Sequence, residues 1–166
     1  LDNLLRGGYP MTIPAGKKDF VYYLYSRKHG DLERDYNFFK IAPEFYSQGN
    51  GNFRDLCQNR RNDVLISPNT EDYSVHMFAS LIQSDGYNPL SINGSTFQNP
   101  DKAQAKALAA ELFGGNKAME DVLMGSFTPG KIVNTMAHEK IVFADADEAL
   151  FSRIFPHAVQ AIEANH

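Results

Sequence analysis

Between Arg27 and Asp63 the chain gathers both signs of charge with amides, glycines and aromatic rings, and these are the residue types that suit chemistry. The stretch holds Arg27-Lys28-His29-Gly30-Asp31-Leu32-Glu33-Arg34-Asp35, then Gln48-Gly49-Asn50-Gly51-Asn52-Phe53-Arg54-Asp55, then Gln58-Asn59-Arg60-Arg61-Asn62-Asp63. A sugar hydroxyl both donates and accepts a hydrogen bond, so a pocket for it needs carboxylates and amides as acceptors and arginines as donors. Aromatic rings supply the apolar platforms for sugar C–H faces, and glycines let backbone come close. The same residues would equally suit a buried ion-pair network that ties elements together. The density of the cluster favours a site, with a saccharide as the ligand.

Other constellations are weaker. His138-Glu139 lacks the second histidine of a zinc-protease helix, and a solvated helix end accounts for it. His29, His76, His138 and His157 are scattered without ligand spacing, so no metal site is expected. Gln48-Gly49-Asn50-Gly51-Asn52 has neither the Lys-Ser/Thr of a phosphate loop nor the spacing of a dinucleotide fingerprint. Ser67 and Ser95 have no nucleophile-elbow context. The single Cys57 has no histidine placed near it in sequence, and a small packed hydrophobe is the simpler role.

The elements that must position these residues differ between two halves. Residues 1–97 carry all 8 tyrosines and most phenylalanines, while residues 98–166 are alanine-rich and read as a small helical subdomain. In the second half, Asn99-Pro100-Asp101 offers an N-cap, a proline at the first helical position and an acid in the first turn, and Ala105, Leu108, Ala109 and Leu112 form one apolar face before Gly114-Gly115 stops the helix. Asn116 caps a shorter helix with Met119, Val122 and Leu123, which Gly125 ends. Thr128-Pro129 opens another with Ile132, Val133 and Met136. Asp145 and Glu148 form a capping-box pattern that predicts the longest helix, with Phe151, Ile154, Phe155, Ala158 and Ile162 in a stripe and a kink at Pro156. In the first half, Glu71–Gln83 predicts a helix with Val75, Phe78 and Ile82 on one face. Asp19–Ser26 is too short for periodicity to separate a buried strand from a helix turn.

The 166 residues, 43% hydrophobic and 22% charged, fit one globular domain or a slice of a larger protein. Sixteen Lys and Arg against twenty Asp and Glu give a net charge of -4. Broad electrostatic binding to nucleic acid or to anionic membrane is therefore not expected, because both need accumulated positive charge. No apolar run approaches the ~20 residues of a membrane span. With one cysteine, nothing requires an oxidising compartment, and a cytoplasmic setting is expected. Leu1-Asp2-Asn3 and Ala164-Asn165-His166 do not look like natural termini, so an excised piece is expected.

Phe53-Arg54-Asp55-Leu56-Cys57-Gln58-Asn59, with Gly49 and Gly51 before it, resembles the glycine, Phe-Arg-Asp and Gln-Asp motif of the cellobiose phosphorylase family. Gln83-Ser84-Asp85-Gly86-Tyr87-Asn88-Pro89 resembles the segment that follows. The whole of Tyr22 to Pro89 is similar to large bacterial cellobiose-phosphorylase-like proteins, multi-domain chains several times longer. The resemblance implies a fragment of an inverting glycoside phosphorylase, which cleaves a β-glucosidic bond with inorganic phosphate and releases α-glucose 1-phosphate. There an aspartic acid protonates the leaving oxygen while phosphate attacks the opposite face. Phosphate is the co-substrate of the full-length enzyme, and no other cofactor is implied.

In the family motif the Arg and the terminal Asp hold the transferred sugar. Arg54 matches that Arg, Asp55 matches its neighbour, and Asn59 stands where the terminal Asp would be, with Asp63 or Arg60 to compensate. Arg54, Asp55, Gln58, Asn59, Arg60 and Asp63 are thus the expected substrate-binding residues. No segment matches the family's general acid or its phosphate-binding His and Ser/Thr residues, so no catalytic residue is assigned and the isolated chain is expected to be inactive. The fold expected on this basis is mainly α: a segment of an (α/α)6-barrel (six-hairpin type) over residues 1–97, with a short strand or hairpin near the N-terminus as an option, and a small helical bundle over 98–166. An incomplete barrel would expose apolar faces, so self-association, or docking on the missing remainder of a parent chain, is expected.

Overall fold

The computed structural model describes residues 9–16, 18–24, 45, 46, 48 and 51–166, with Asn59 described in its backbone only. The protein is mixed α/β rather than mainly α, and its described residues form two antiparallel sheets, of two and of four strands. The expected barrel segment is overturned by this arrangement. β1 (Tyr9–Ile13) and β2 (Phe20–Leu24) form a hairpin, with Tyr9 opposite Leu24 and Ile13 opposite Phe20. The short β3 (Gly51–Asn52) leads into α1 (Phe53–Arg60), α2 (Asp63–Ile66), a 3-10 turn (Pro68–Thr70) and α3 (Tyr73–Ser80). Next come β4 (Ser91–Gln98), α4 (Lys102–Phe113), α5 (Lys117–Met124), β5 (Ser126–Phe127) and α6 (Pro129–His138). The order closes with α7 (Asp147–Ile154), a 3-10 turn (Phe155–His157) and β6 (Val159–Asn165).

β4 is the spine of the larger sheet. One edge pairs with β6 over its whole length, from Ser91 opposite Asn165 to Gln98 opposite Val159. The other edge pairs with β3 at one end and β5 at the other. Between them a side chain completes the ladder. Gln48 Oε1 accepts from the Ser95 amide at 3.0 Å, and Gln48 Nε2 donates to the Ser95 carbonyl at 2.5 Å. The Gln48 amide thus meets β4 through both polar groups of the Ser95 backbone, as a strand residue would. Gly94 makes room: its φ is +96°, and a Cβ there would sit 2.9 Å from Gln48 Cδ. A bulge at Asn93 shifts the side-chain parity, which lets Ile92, Ser95 and Phe97 all be buried from one strand.

The hairpin explains why Phe20-Val21-Tyr22-Tyr23-Leu24 is apolar without a break: both of its faces are covered. Phe20, Tyr22 and Leu24 join the main core with Phe97, Phe127, Phe155 and the helices of the C-terminal half. Val21 and Tyr23 join a second core with Phe53, Leu56, Met77 and Ile92. Phe97 is fully buried at the centre of the first, its ring 4.8 Å from Phe155 edge-on and 5.3 Å from Phe20. Residues from both sides of position 97/98 therefore share one sheet and one core.

In the C-terminal half the helices follow their signals. α4 starts later than expected, with Pro100 outside it and Asp101 as its cap, accepting from the Ala103 and Gln104 amides, and Gly114 ends it at φ +61°. Asn116 and Thr128 cap α5 and α6. The long final helix is not there. α7 starts at Asp147 without a side-chain cap, Pro156 sits in a 3-10 turn, and Ile162 belongs to β6, so the proline ends the helix instead of kinking it. α3 is shorter than expected and turned: Val75 and Ile82 are exposed, and Met77 is the buried residue. Among the described residues no helix is long and apolar enough to cross a membrane.

Phe97→Ala should destabilise the fold by about 3–5 kcal/mol, since it empties the ring cluster. Val142→Ala, at a position 90% exposed, should stay within about 0.5 kcal/mol. Urea unfolding of the two variants beside the parent chain checks both.

Candidate functional site

The fold carries the expected sugar-binding residues on α1 and the start of α2 and divides them between two environments. Asn52 Oδ1 accepts from the Arg54 amide at 3.1 Å and so fixes the first turn of α1. Phe53 and Leu56 then anchor the inner face of the helix in the second core. This orientation leaves Arg54 and Gln58, one turn apart, on the solvent side. Asp55 lies beside them with its carboxylate largely covered, and Arg54 Nε reaches Asp55 Oδ1 at 3.3 Å. The other carboxylate oxygen, Asp55 Oδ2, is buried and has no hydrogen-bond donor among the described residues.

Arg60 and Asp63 point the other way. Each is 1% exposed, and they form an ion pair with Nε and Oδ2 3.5 Å apart. The guanidinium of Arg60 lies over the Tyr23 ring, 5.2 Å from its centroid, a cation–π contact in a desolvated place. Tyr23 in turn meets Ser74 through a 2.7 Å hydroxyl–hydroxyl bond. These contacts lock α1, α2, α3 and β2 together. The side chain of Asn59 is outside the described residues, as are Arg27–Asp35, Gly49 and Asn50 of the wider cluster. Cys57 is half-buried, which pushes its thiol pKa up and leaves it a poor nucleophile at neutral pH.

A polar arrangement that sequence reading missed lies on α3. Lys18 Nζ donates to Asp72 Oδ1 at 3.0 Å, and His76 Nε2 is 3.0 Å from Asp72 Oδ2. The hydrogen bonds from Lys18 and His76 hold the Asp72 carboxyl below its usual range. Lys18 and His76 stand at the rim of an open cleft of about 440 Å³, with Met77, Leu81 and Ile162 in its wall. Tyr73 lines it as well, its hydroxyl donating to Gln160 Oε1 at 3.2 Å. Asp72 and His76 are four residues apart on a helix and could have been read as a pair. Lys18, 54 residues away, gave no such signal. Among the described residues no group of three or more His, Cys, Asp or Glu is placed to hold a metal ion.

Comparison of the chain with protein-family models, curated proteins and solved structures gave no match.

Two outcomes follow. Arg60→Ala removes one half of a buried ion pair with Asp63 and should cost about 3–5 kcal/mol, whereas Arg54→Ala should change stability by less than about 1 kcal/mol. Denaturant midpoints separate the two. Asp72 has a depressed folded pKa, so its contribution is present above the unfolded carboxylate value near ~3.9 and fades as pH falls through the folded value. Asp72→Asn should therefore lower stability slightly in the neutral region and converge on the parent chain at the acid end, which flattens the acid limb of the stability–pH curve read by thermal unfolding from pH 2 to 7.

Proposed function

We propose that this chain recognises saccharides and supplies part of the sugar-binding subsite of an inverting glycoside phosphorylase that acts on β-glucosides with inorganic phosphate. The observation that carries this reading is an acceptor without a donor. Asp55 Oδ2 is screened from solvent with no hydrogen bond among the described residues, next to a solvent-facing Arg54. Buried carboxylate oxygens are rarely left so. A sugar hydroxyl there would donate to Asp55 and accept from Arg54, and Gln58 one turn on adds an amide of either polarity. The phosphorylase identity is supported by the resemblance of Phe53–Asn59, of Gln83–Pro89 and of the wider Tyr22–Pro89 stretch. We place the protein in the cytoplasm, in keeping with its single cysteine.

A second reading is favoured by a specific observation. Arg60 and Asp63 are fully buried and bridge α1, α2 and β2, which is what a structural module held by an internal ion pair would show. The two readings divide the same cluster between its outer and inner faces.

Titration calorimetry with glucose, cellobiose and laminaribiose, with and without phosphate, tests the proposal. Saturable heat is expected for at least one sugar, reduced roughly tenfold or more in affinity in Arg54→Ala and in Asp55→Asn at unchanged stability. Absence of heat from the folded chain with every sugar would leave the structural reading standing. Glucose 1-phosphate should not form from cellobiose and phosphate, because no proton donor is assigned here.

A further inference from the structure

A pocket of about 310 Å³ lies where β1 meets the first turn of α7, and none of its lining residues belongs to α1. Its walls are apolar and aromatic, with Tyr9, Met11, Tyr46 and Phe151 among them. The Tyr46 and Phe151 rings meet edge-on, centroids 5.3 Å apart. Glu148 also lines the pocket, and among the described residues that do so there is no Lys, Arg or His. Asp147 brings a second carboxylate, its Oδ2 accepting a 2.8 Å hydrogen bond from the Tyr46 hydroxyl.

Acidic residues in a first helical turn are ordinary partners of the helix dipole. What distinguishes these two is their placement: one is a pocket wall and the other fixes an aromatic wall. Tyr46 is held in the left-handed region at φ +52°, where a bulky residue rarely sits. The Tyr22 hydroxyl donates to the Tyr46 carbonyl at 3.2 Å, so the residue is gripped at its backbone and at its ring tip. Strain of this kind persists only where the surroundings over-determine it, and it collects at ligand clamps. Burial, the bond to Asp147 and the charge of Glu148 push the Tyr46 hydroxyl well up, so it stays protonated and keeps its grip at neutral pH.

A concave space of this size, mostly apolar with a few placed polar groups, has the composition of a small-molecule site. Aromatic faces and carboxylates both attract positive charge, and together they repel anions. We propose that this pocket binds a small organic cation, an alkyl- or arylammonium whose carbon skeleton packs on the aromatic walls while its charge lies by Glu148. The proposal stands apart from the saccharide reading, since it uses different residues and a charged ligand.

Titration with choline and with its neutral isostere 3,3-dimethylbutan-1-ol tests it. Choline should bind saturably, the alcohol roughly tenfold more weakly, and Glu148→Gln should bring choline down to the level of the alcohol with thermal unfolding unchanged. Glu148 is exposed at the helix start, so the variant folds. No saturable choline binding, equal binding of the two compounds, or undiminished choline binding by Glu148→Gln would each overturn the proposal.

Discussion

A strand bonded along both of its edges fixes much of the rest of this molecule. β4 has β6 on one side and β3, the Gln48 amide and β5 on the other, so its backbone polar groups are satisfied by segments drawn from distant parts of the chain. Once β4 is held, Phe97 is set at the centre of the aromatic cluster, and Ile92 at the edge of the second core. The hairpin then lies between the two cores with a different face to each. β3 is short, and the helix that follows it starts where the ladder requires. That is how a sheet on one side of the molecule determines which face of α1 meets solvent.

The consequence for α1 is a helix with two characters. Its inner face delivers Phe53, Leu56 and the charged Arg60 to the interior, and its outer face presents Arg54 and Gln58. The buried guanidinium is tolerated because it has an ion-pair partner in Asp63 and a ring beneath it in Tyr23. A buried charge of this kind penalises any rotation of the helix that would expose its apolar residues. The outer pair is thereby held in a fixed orientation, as a recognition surface needs.

Local signals were readable and distant ones were not. The caps at Asn116 and Thr128 and the glycine at Gly114 work within a few residues, and the helices they bound stand where the sequence puts them. β4 was hidden because Ser91-Ile92-Asn93-Gly94-Ser95-Thr96-Phe97-Gln98 is poor in strand formers, and the bulge at Asn93 breaks the alternation that would reveal it. β6 was mistaken for helix because Ile162 happens to continue a stripe that begins at Phe151, although Pro156 intervenes. For the site, residue types indicated a charged cluster but not its division, since Arg54 and Arg60 look alike in sequence. Their difference is one of helix phase relative to a sheet that the sequence did not disclose.

The ladder between β4 and β6 also bears on how the chain is made. Asn165 bonds Ser91 across a separation of 74 residues, so β4 emerges well before its long partner exists. At ordinary translation rates the gap is roughly 4–15 s, during which one edge of β4 has no strand to pair with. A strand of alternating valines and isoleucines would spend that interval as a template for neighbouring chains. The serines, asparagine, glycine and threonine of β4 make it a poor template. Its weak strand signal is thus a safeguard suited to a central strand that must wait.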